Sequence, residues 1–190
     1  ASLEVISMVN YRRNLWADET GLPWVNPSPN IRSAEAAALY VGLGILESAN
    51  LSVGRGTDQP FSLYGAPWVN SRAWLREIER RGGIPGLELT ALSFTPSAST
   101  YAGQICQGLQ VKLINRSQYD GFRTAIVVLQ ALQALYPGKL KVDDTVTMAG
   151  DRSFPDSIRS LEPPEAILAR WRAQIDREFI RGRARFLLYL

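Results

Sequence analysis

Only a few segments of this chain have the alternation of apolar and polar residues that a half-buried β-strand requires. In residues 87–91 (LELTA) and 109–113 (LQVKL) every second residue is apolar, so each segment can bury one face, and the two are expected to share a sheet. Residues 3–8 (LEVISM) are mostly apolar and include β-branched residues, which also favours a strand. So few strands favour a small sheet over a doubly wound one.

Most of the other apolar residues recur at spacings of three and four, the period of an amphipathic helix. Ser33 is a good N-cap for a helix through residues 34–46, where Gly42 and Gly44 indicate an end or a close backbone contact. Further helices are predicted over residues 71–81, 122–136 and 168–179. These patterns predict an α+β fold in which a small mixed sheet packs with several helices.

The first thirty residues differ in character from the rest. Residues 10–30 contain too many Pro, Gly and Asn residues for a regular element, and their aromatic side chains argue against disorder. We place a boundary near residue 32. The sequence opens on a strand-like run without a polar leader, so we expect residues 1–32 to be the last strand and exit loop of a preceding unit. Residues 33–190 are expected to form a more complete α+β domain.

Charge and hydrophobicity narrow the class of protein. The 190 residues carry a formal net charge of +3, and 46% of them are hydrophobic. The basic residues are spread over several segments, so we expect no nucleic-acid partner. No apolar run approaches the roughly 20 residues that span a bilayer, and we expect no membrane span. The N-terminus shows no basic region followed by an apolar one, so it does not resemble a signal peptide.

The chain contains no histidine, and its only cysteine is Cys106. One cysteine cannot form an intrachain disulfide. Without histidine, the chain cannot build a Ser-His-Asp system, a Cys-His system or a His-ligated zinc site by itself. We expect no metal and no cofactor. Acid–base chemistry near neutral pH would need a carboxylate of raised pKa, a Tyr or Lys, or residues outside this chain.

Residues 47–69 (ESANLSVGRGTDQPFSLYGAPWV) and the nearby loop 27–30 (PSPN) form the candidate site. Arg55 stands between two glycines, which let the backbone approach a ligand while the planar guanidinium binds an anion or a carbonyl. Short polar side chains that suit hydroxyl or amide groups are Asn50, Ser52 and Thr57. A turn in which these groups bond to their own backbone explains the composition equally well. GRGT lacks the Gly-Lys-Ser/Thr ending of a phosphate loop.

Carboxylates and aromatic residues lie in or near these loops. Glu47 and Asp58 belong to the candidate segment, and Asp18 and Glu19 to the early loop. Hydrolysis of a glycosidic bond uses two carboxyl groups at a set separation, or one together with a substrate group. Each of these four could instead be solvated or paired for structural reasons. Aromatic residues that could stack on a sugar ring, or else anchor the loops, are Trp16, Trp24, Tyr64 and Trp68.

Five motifs of this sequence resemble, in the same order, the C-terminal half of one known family. They are DETGLPWVNPSPN (18–30), ESANLSVGRGTDQPF (47–61), YGAPWV (64–69), CQG (106–108) and FLLYL (186–190). The family is that of the exo-β-N-acetylmuramidase NamZ, earlier a bacterial domain of unknown function. The most specific part of the resemblance is the central motif Asn-Leu-Ser-x-Gly-Arg-Gly-Thr. Departures from the family pattern at Ile31, Ser48-Ala49 and Val53 leave the frame intact and bear on fine substrate preference.

The resemblance implies a peptidoglycan hydrolase that releases N-acetylmuramic acid from the non-reducing ends of glycan fragments. Family members have an N-terminal Rossmann-like domain and a smaller C-terminal domain, with the active site in the cleft between them. Residues 1–32 would then end the Rossmann-like domain, and residues 33–190 would form one wall of the cleft. The family's catalytic candidate, a glutamate in a Pro-Glu-His-Gly motif, belongs to the N-terminal domain. This chain lacks that motif and is expected to be inactive alone, with Glu47 as its best catalytic candidate.

The same resemblance implies a set of substrate-binding residues: Asn30, Glu47, Asn50, Ser52, Arg55 and Thr57. Arg55 would suit the lactyl carboxylate of muramic acid, while Asn50 and Ser52 would suit hydroxyl or acetamido groups. The implied partners are peptidoglycan fragments or muropeptides and the upstream catalytic domain, and the implied location is periplasmic or secreted. Two alternatives remain open. The chain could be a non-catalytic glycan-binding module, or a structural buttress for the catalytic domain.

Overall fold

Residues 2–189 are described by a computed structural model, which contains one three-stranded sheet. Its strands are β1 (Leu63–Ala66), β2 (Leu87–Phe94) and β3 (Cys106–Leu113), in the spatial order β1-β3-β2. Both pairings are antiparallel, so the sheet is not the mixed one that we expected. The reason is that β2 and β3 are joined by a loop, whereas parallel neighbours need a crossover connection. The α+β class is confirmed.

The two alternating segments pair with each other as predicted. Leu89 lies opposite Val111 and Ala91 opposite Leu109, which puts their side chains on one face of the sheet. This face packs against helices and forms part of the core. β1 was not predicted, because all four of its residues are buried and its sequence LYGA therefore shows no alternation.

The described residues also form seven α-helices. They are α1 (Ala34–Leu43), α2 (Ser71–Arg80), α3 (Gly121–Leu135), α4 (Thr145–Ala149), α5 (Phe154–Arg159), α6 (Pro164–Ile175) and α7 (Arg181–Arg183). A π-helical stretch, Asp176–Ile180, joins α6 to α7, and 3-10 turns span Ala17–Glu19, Gly44–Ser48 and Ala184–Phe186. The predicted helices at 71–81 and 122–136 are confirmed to within about one residue, and the one at 168–179 is confirmed as α6 with its π-helical extension.

Helix α3 is the centre of the fold. Ile126, Leu129 and Leu132 on this helix are fully buried. Helices α1, α2, α5 and α6 all pack against it, and α2 also covers the core face of the sheet. Within residues 2–189, no helix combines the length and the hydropathy that a membrane crossing requires.

Helix α1 starts and breaks where its sequence indicates. The Ser33 hydroxyl accepts a hydrogen bond from the Ala36 amide at 3.0 Å and caps the helix. Near its end, Gly42 adopts a φ of 100° against the start of α3. A Cβ at Gly42 would lie 2.2 Å from the carbonyl carbon of Gly121, so the close approach requires glycine. This break leads directly into the 3-10 turn that carries Glu47.

The strand predicted at residues 3–8 is not present in the described structure. The segment forms no regular element and pairs with no strand, and the side chains of Leu3 and Ile6 are 88% and 90% exposed. The outer side of β1 is bridged by Ser52, so that edge of the sheet is taken. An apolar, β-branched run favours a strand only when a partner edge is available, and none reaches it here.

Candidate functional site

The turn at residues 54–57 holds Arg55 in a fixed position. Gly54 and Gly56, on either side of it, have φ values of 76° and 79°. A Cβ at Gly56 would lie 2.3 Å from the amide nitrogen of Ala98. The backbone amide and hydroxyl of Ser97 both donate to the Gly56 carbonyl, at 2.8 and 2.7 Å. The glycines thus allow the turn to dock against the loop that follows β2, which fixes the backbone from which Arg55 projects.

Arg55 and Glu47 form a two-point ion pair. Nε donates to Glu47 Oε1 at 2.6 Å, and Nη2 donates to Oε2 at 3.2 Å. The guanidinium also lies over the ring of Phe61, 5.0 Å from its centroid. The two charged side chains are 29% and 33% exposed, so solvent and ligands can reach them. Glu47 occupies one edge of the guanidinium, and the opposite Nη1–Nη2 edge can still bind a second carboxylate through two parallel hydrogen bonds.

Asn50 connects the candidate segment to the chain that follows α3. Its side-chain amide donates to the Lys139 carbonyl at 2.9 Å, and its side-chain oxygen accepts from the Lys141 amide at 2.7 Å. The Asn50 backbone carbonyl accepts a third hydrogen bond, from the Tyr101 hydroxyl at 3.0 Å. Both ends of the Asn50 side chain are therefore engaged within the protein.

Ser52 and Thr57 also bond within their own turn. Ser52 is buried, and it exchanges two backbone hydrogen bonds with Gly65 at 2.8 and 3.0 Å. Its hydroxyl accepts from the Gly54 amide at 3.3 Å. The Thr57 hydroxyl donates to the Gly54 carbonyl at 2.6 Å and accepts from the Gln59 amide at 3.1 Å. These are the local side-chain bonds by which Ser and Thr stabilise tight turns.

Asn30 lies in the turn before α1 and is half-buried. Its backbone amide donates to the Ser28 hydroxyl at 3.4 Å, and in the described part of the chain no hydrogen bond joins Asn30 to residues 47–57. Of the six predicted site residues, the structure thus places Glu47 and Arg55 in direct contact. It gives three others intrachain partners and leaves Asn30 apart from them.

The carboxylates of the early loop have structural partners. Asp18 accepts two hydrogen bonds from Arg116, which lower the pKa of that carboxyl. Glu19 accepts from the Trp16 amide at 2.8 Å and caps the 3-10 turn. Asp18 is therefore ionised near neutral pH and is a poor proton donor. Asp58 is exposed. Among the described side chains, no group of three or more Cys, Asp or Glu residues is placed to hold a metal ion.

The four aromatic residues do not form one stacking surface. Tyr64 is fully buried, its hydroxyl donates to a backbone carbonyl at 2.7 Å, and burial raises its pKa well above the ordinary value. The half-buried Trp68 donates to the Tyr101 hydroxyl at 3.1 Å. Trp16 and Trp24 both line a cavity of about 360 Å³ beside α1. Tyr64 and Trp68 thus anchor loops, as the alternative interpretation allowed.

A polar groove beside the Arg55 turn was not predicted. It has a volume of about 550 Å³ and is lined by Arg32, Gly56, Thr57, Asp58, Gln59, Leu63, Phe94, Thr95 and Ser97. The sequence did show that the loop after β2 is rich in small polar residues. It could not show that this loop folds onto residues 56–59, because that contact depends on a close approach between two segments about forty residues apart.

Comparison with family models accounts for nearly the whole chain. The model for the C-terminal domain of the exo-β-N-acetylmuramidase NamZ matches residues 38–189, and the model for the N-terminal domain matches residues 1–35. A Bacillus subtilis (strain 168) protein, peptidoglycan β-N-acetylmuramidase NamZ, is 32% identical over 192 residues. That match covers 100% of this chain and 46% of the relative.

Two solved structures of DUF1343 family proteins from Bacteroides fragilis share the fold. The first has a TM-score of 0.77 and 24% identity, and the match covers 95% of this chain and 49% of the other. The second has a TM-score of 0.65 and 21% identity, covering 86% and 43%. The chain therefore spans about half the length of the relatives that it matches. Because the C-terminal family model matches most of the sequence, the chain belongs to the NamZ exo-β-N-acetylmuramidase family.

Proposed function

We propose that this chain is the C-terminal, substrate-binding part of an exo-acting peptidoglycan glycoside hydrolase. The whole enzyme would release N-acetylmuramic acid from the non-reducing ends of cell-wall fragments. Family membership and the name of the Bacillus subtilis relative support this reaction. The geometry that supports the binding role is the accessible edge of the Arg55 guanidinium, held in a rigid turn.

In this proposal, Arg55 binds the lactyl carboxylate of N-acetylmuramic acid through its Nη1–Nη2 edge. Glu47 holds the guanidinium by the other edge, so that the fork is oriented before the sugar arrives. Asn50, Ser52 and Thr57 contribute by fixing the turn, since their side chains bond within the protein. Asn30, in the turn before α1, would be a further substrate contact.

The catalytic carboxyl group is proposed to lie outside these 190 residues. Glu47 is the best candidate within the chain, but both oxygens of its carboxylate already accept hydrogen bonds from Arg55. Residues 1–32 would then end an upstream Rossmann-like catalytic domain, and residues 33–190 would form one wall of the cleft. The match of residues 1–35 to the N-terminal family model supports this division. A periplasmic or secreted location would bring the enzyme to cell-wall material.

Binding of single sugars tests the role of Arg55. Calorimetry should show that the chain binds N-acetylmuramic acid more tightly than N-acetylglucosamine, which lacks the lactyl carboxylate. Arg55→Lys keeps the charge but loses the planar fork, so its affinity for N-acetylmuramic acid should fall about tenfold. Arg152→Lys, at an exposed arginine, is the matched control and should change nothing. Equal affinity of Arg55→Lys and the unmodified chain would remove Arg55 from the site.

A turnover assay tests whether the catalytic group lies in this chain or upstream of it. The chain alone should release no N-acetylmuramic acid from a chromogenic muramide, whereas fusion to the N-terminal half of the Bacillus subtilis relative should give measurable release. Robust turnover by the chain alone would contradict an upstream catalytic group. If the chain binds sugar but contributes nothing to turnover in the fusion, the result favours a non-catalytic glycan-binding module. If the chain binds no sugar yet the fusion needs it for stability, it is a buttress.

A further inference from the structure

The aromatic residue that lies against Arg55 has an unusual backbone conformation. Phe61 has a φ of 64°, in the left-handed region that residues with a Cβ rarely adopt. Four other described non-glycine residues have a positive φ: Asn10, Ser99, Tyr101 and Leu161. None of these four is buried, whereas Phe61 is 1% exposed. Strain of this kind persists only where the surrounding structure holds it, and it is concentrated at functional sites.

Two hydrogen bonds hold the backbone of Phe61. Its amide donates to the Val53 carbonyl at 2.8 Å, and its carbonyl accepts from the Tyr64 hydroxyl at 2.7 Å. Val53 and Tyr64 are both buried, so these bonds lie in the interior, where a backbone group without a partner is costly. The direction in which the Phe61 side chain leaves the backbone is therefore fixed.

The ring of Phe61 is packed against the turn that carries Glu47. The ring of Tyr40 meets it edge-on, with centroids 4.8 Å apart and planes inclined by 68°. A Cβ at Gly44 would lie 3.0 Å from the Tyr40 ring, so the tyrosine packs closely on this glycine, and Gly44 begins the 3-10 turn of Glu47. The same packing unit thus positions both groups that contact Arg55, the Glu47 carboxylate and the Phe61 ring.

The Arg55 guanidinium is restrained in two different ways. Glu47 accepts hydrogen bonds from Nε and Nη2, which fixes one edge of the planar group. The Phe61 ring attracts the guanidinium over its face, with Cζ 5.0 Å from the centroid, and this attraction opposes movement away from the ring. Together the two contacts hold the Nη1–Nη2 edge in one orientation. A carboxylate that accepts two parallel hydrogen bonds needs this fixed orientation of the fork.

We infer that Phe61 is a positioning residue that sets the plane of the Arg55 guanidinium for recognition of a carboxylate. The identity of that carboxylate, the lactyl group of N-acetylmuramic acid, rests on the proposed function, whereas the restraint rests on the geometry alone. Phe61 acts through Arg55 and does not touch the sugar. Without the ring the guanidinium samples other orientations, and binding must then order it at a cost in affinity. A role in the core alone would affect stability and leave the affinity unchanged.

Sugar binding by Phe61→Leu tests this role. Leucine keeps an apolar side chain at the same backbone position but removes the ring face, so the affinity for N-acetylmuramic acid in calorimetry should fall about fivefold. In chains that carry Arg55→Lys, the same change should alter the affinity less than about twofold, because the planar fork is already lost. Phe154→Leu, at a fully buried phenylalanine beside Trp171, is the matched control and should leave the affinity unchanged.

Two results of these binding experiments would overturn the inference. One is an unchanged affinity of Phe61→Leu while Arg55→Lys binds more weakly, which leaves the proposed function standing. The other is an equal loss of affinity in Phe61→Leu and Phe154→Leu, which would show that any lost core ring has this effect. Phe61→Met has a flexible side chain that fills gaps readily, and it replaces the leucine variant if that variant does not fold.

Nuclear magnetic resonance relaxation of the Arg55 Nε–H group measures the restraint without any sugar. In the unmodified chain its order parameter should approach the value of about 0.85 that is typical of rigid backbone, and in Phe61→Leu it should fall towards about 0.6. A low value in the unmodified chain, or equal values in the two proteins, overturns the inference. A fall in Phe61→Leu together with no sugar binding by the unmodified chain would confirm the restraint and contradict the proposed function.

Discussion

Arg55 and Asn50 lie five positions apart, and the structure separates what their side chains can do. Both are polar residues of the same loop motif, and sequence reasoning assigned both to the substrate. Arg55 keeps one edge of its guanidinium accessible, whereas both ends of the Asn50 side chain are bonded to the chain that follows α3. The composition identifies the segment as unusual. Only the hydrogen-bond partners of Asn50, about ninety positions away in the sequence, show that this residue holds the loop in place.

Asn50→Ala should destabilise the fold without weakening sugar binding. The substitution leaves the Lys139 carbonyl and the Lys141 amide without their partner, which should lower the free energy of unfolding by about 1–2 kcal/mol. Urea denaturation measures this change, with Asn14→Ala at an exposed position as the control. Calorimetry on the folded variant should give the affinity of the unmodified chain for N-acetylmuramic acid. A large loss of affinity with unchanged stability would instead make Asn50 a ligand contact.

At the scale of elements, predictability depends on how many faces of a segment are buried. In residues 87–91 and 109–113 one face is more buried than the other, which made the alternation readable, and the helices showed spacings of three and four. β1 is buried on both faces and gave no period. Residues 3–8 had a strand-like composition but no strand to pair with. β1 was therefore missed for lack of a period, whereas the strand predicted at residues 3–8 has no partner among the described residues.

The contact between the Arg55 turn and the loop after β2 should depend on Gly56. Gly56 and Gly103 have similar φ values, 79° and 75°, but a Cβ at Gly103 would meet nothing within 4 Å. Gly103→Ala should therefore cost about 1–2 kcal/mol for the backbone conformation alone. Gly56→Ala should cost about 1–3 kcal/mol more, because the methyl group collides with backbone atoms of Ala98. If both variants lose the same free energy of unfolding in urea denaturation, the loop after β2 moves easily to accept the methyl group and does not fix the turn.

Helix α2 carries a charge cluster whose effect on stability should depend on pH. Hydrogen bonds from Arg80 and then Arg81 lower the pKa of Glu77 below its ordinary value of 4.5, against the opposing effect of burial. A carboxyl whose pKa is lower in the folded state stabilises the fold above its unfolded pKa. That stabilisation is lost as the pH falls through the folded value.

Glu77→Gln should therefore be less stable than the unmodified chain by about 1 kcal/mol at pH 7. The gap should close as the pH falls below 4.5, where the unfolded Glu77 is protonated. Urea denaturation over a pH series measures the difference. Glu79→Gln, at an exposed position of the same helix, is the control and should show a smaller gap at pH 7. A gap for Glu77→Gln that stays constant from pH 7 to pH 3 would show that the ion pairs do not contribute.

At the scale of the whole molecule, the described residues near the two ends of the chain lie outside the hydrophobic core. The buried hydrophobic residues run from Ala36 to Leu168. Large exposed ones concentrate near the two ends: Leu3, Val5, Ile6, Met8, Val9, Ile175, Phe179, Phe186 and Leu188. The ends also meet, since the Met8 amide donates to the Tyr189 hydroxyl at 2.6 Å and the rings of Tyr11 and Tyr189 are 4.9 Å apart. These side chains are therefore not part of the core and are accessible to solvent.

The double variant Leu3→Ser and Ile6→Ser tests whether the core is independent of the first residues. Both side chains are almost fully exposed, so the free energy of unfolding should change by less than about 0.5 kcal/mol. Removal of the exposed apolar groups should also lower self-association, which light scattering at increasing concentration measures. Leu39→Ser, at a fully buried position in α1, should cost several kcal/mol. A comparable loss in the double variant would mean that residues 3–8 belong to the core of this domain, against the boundary near residue 32.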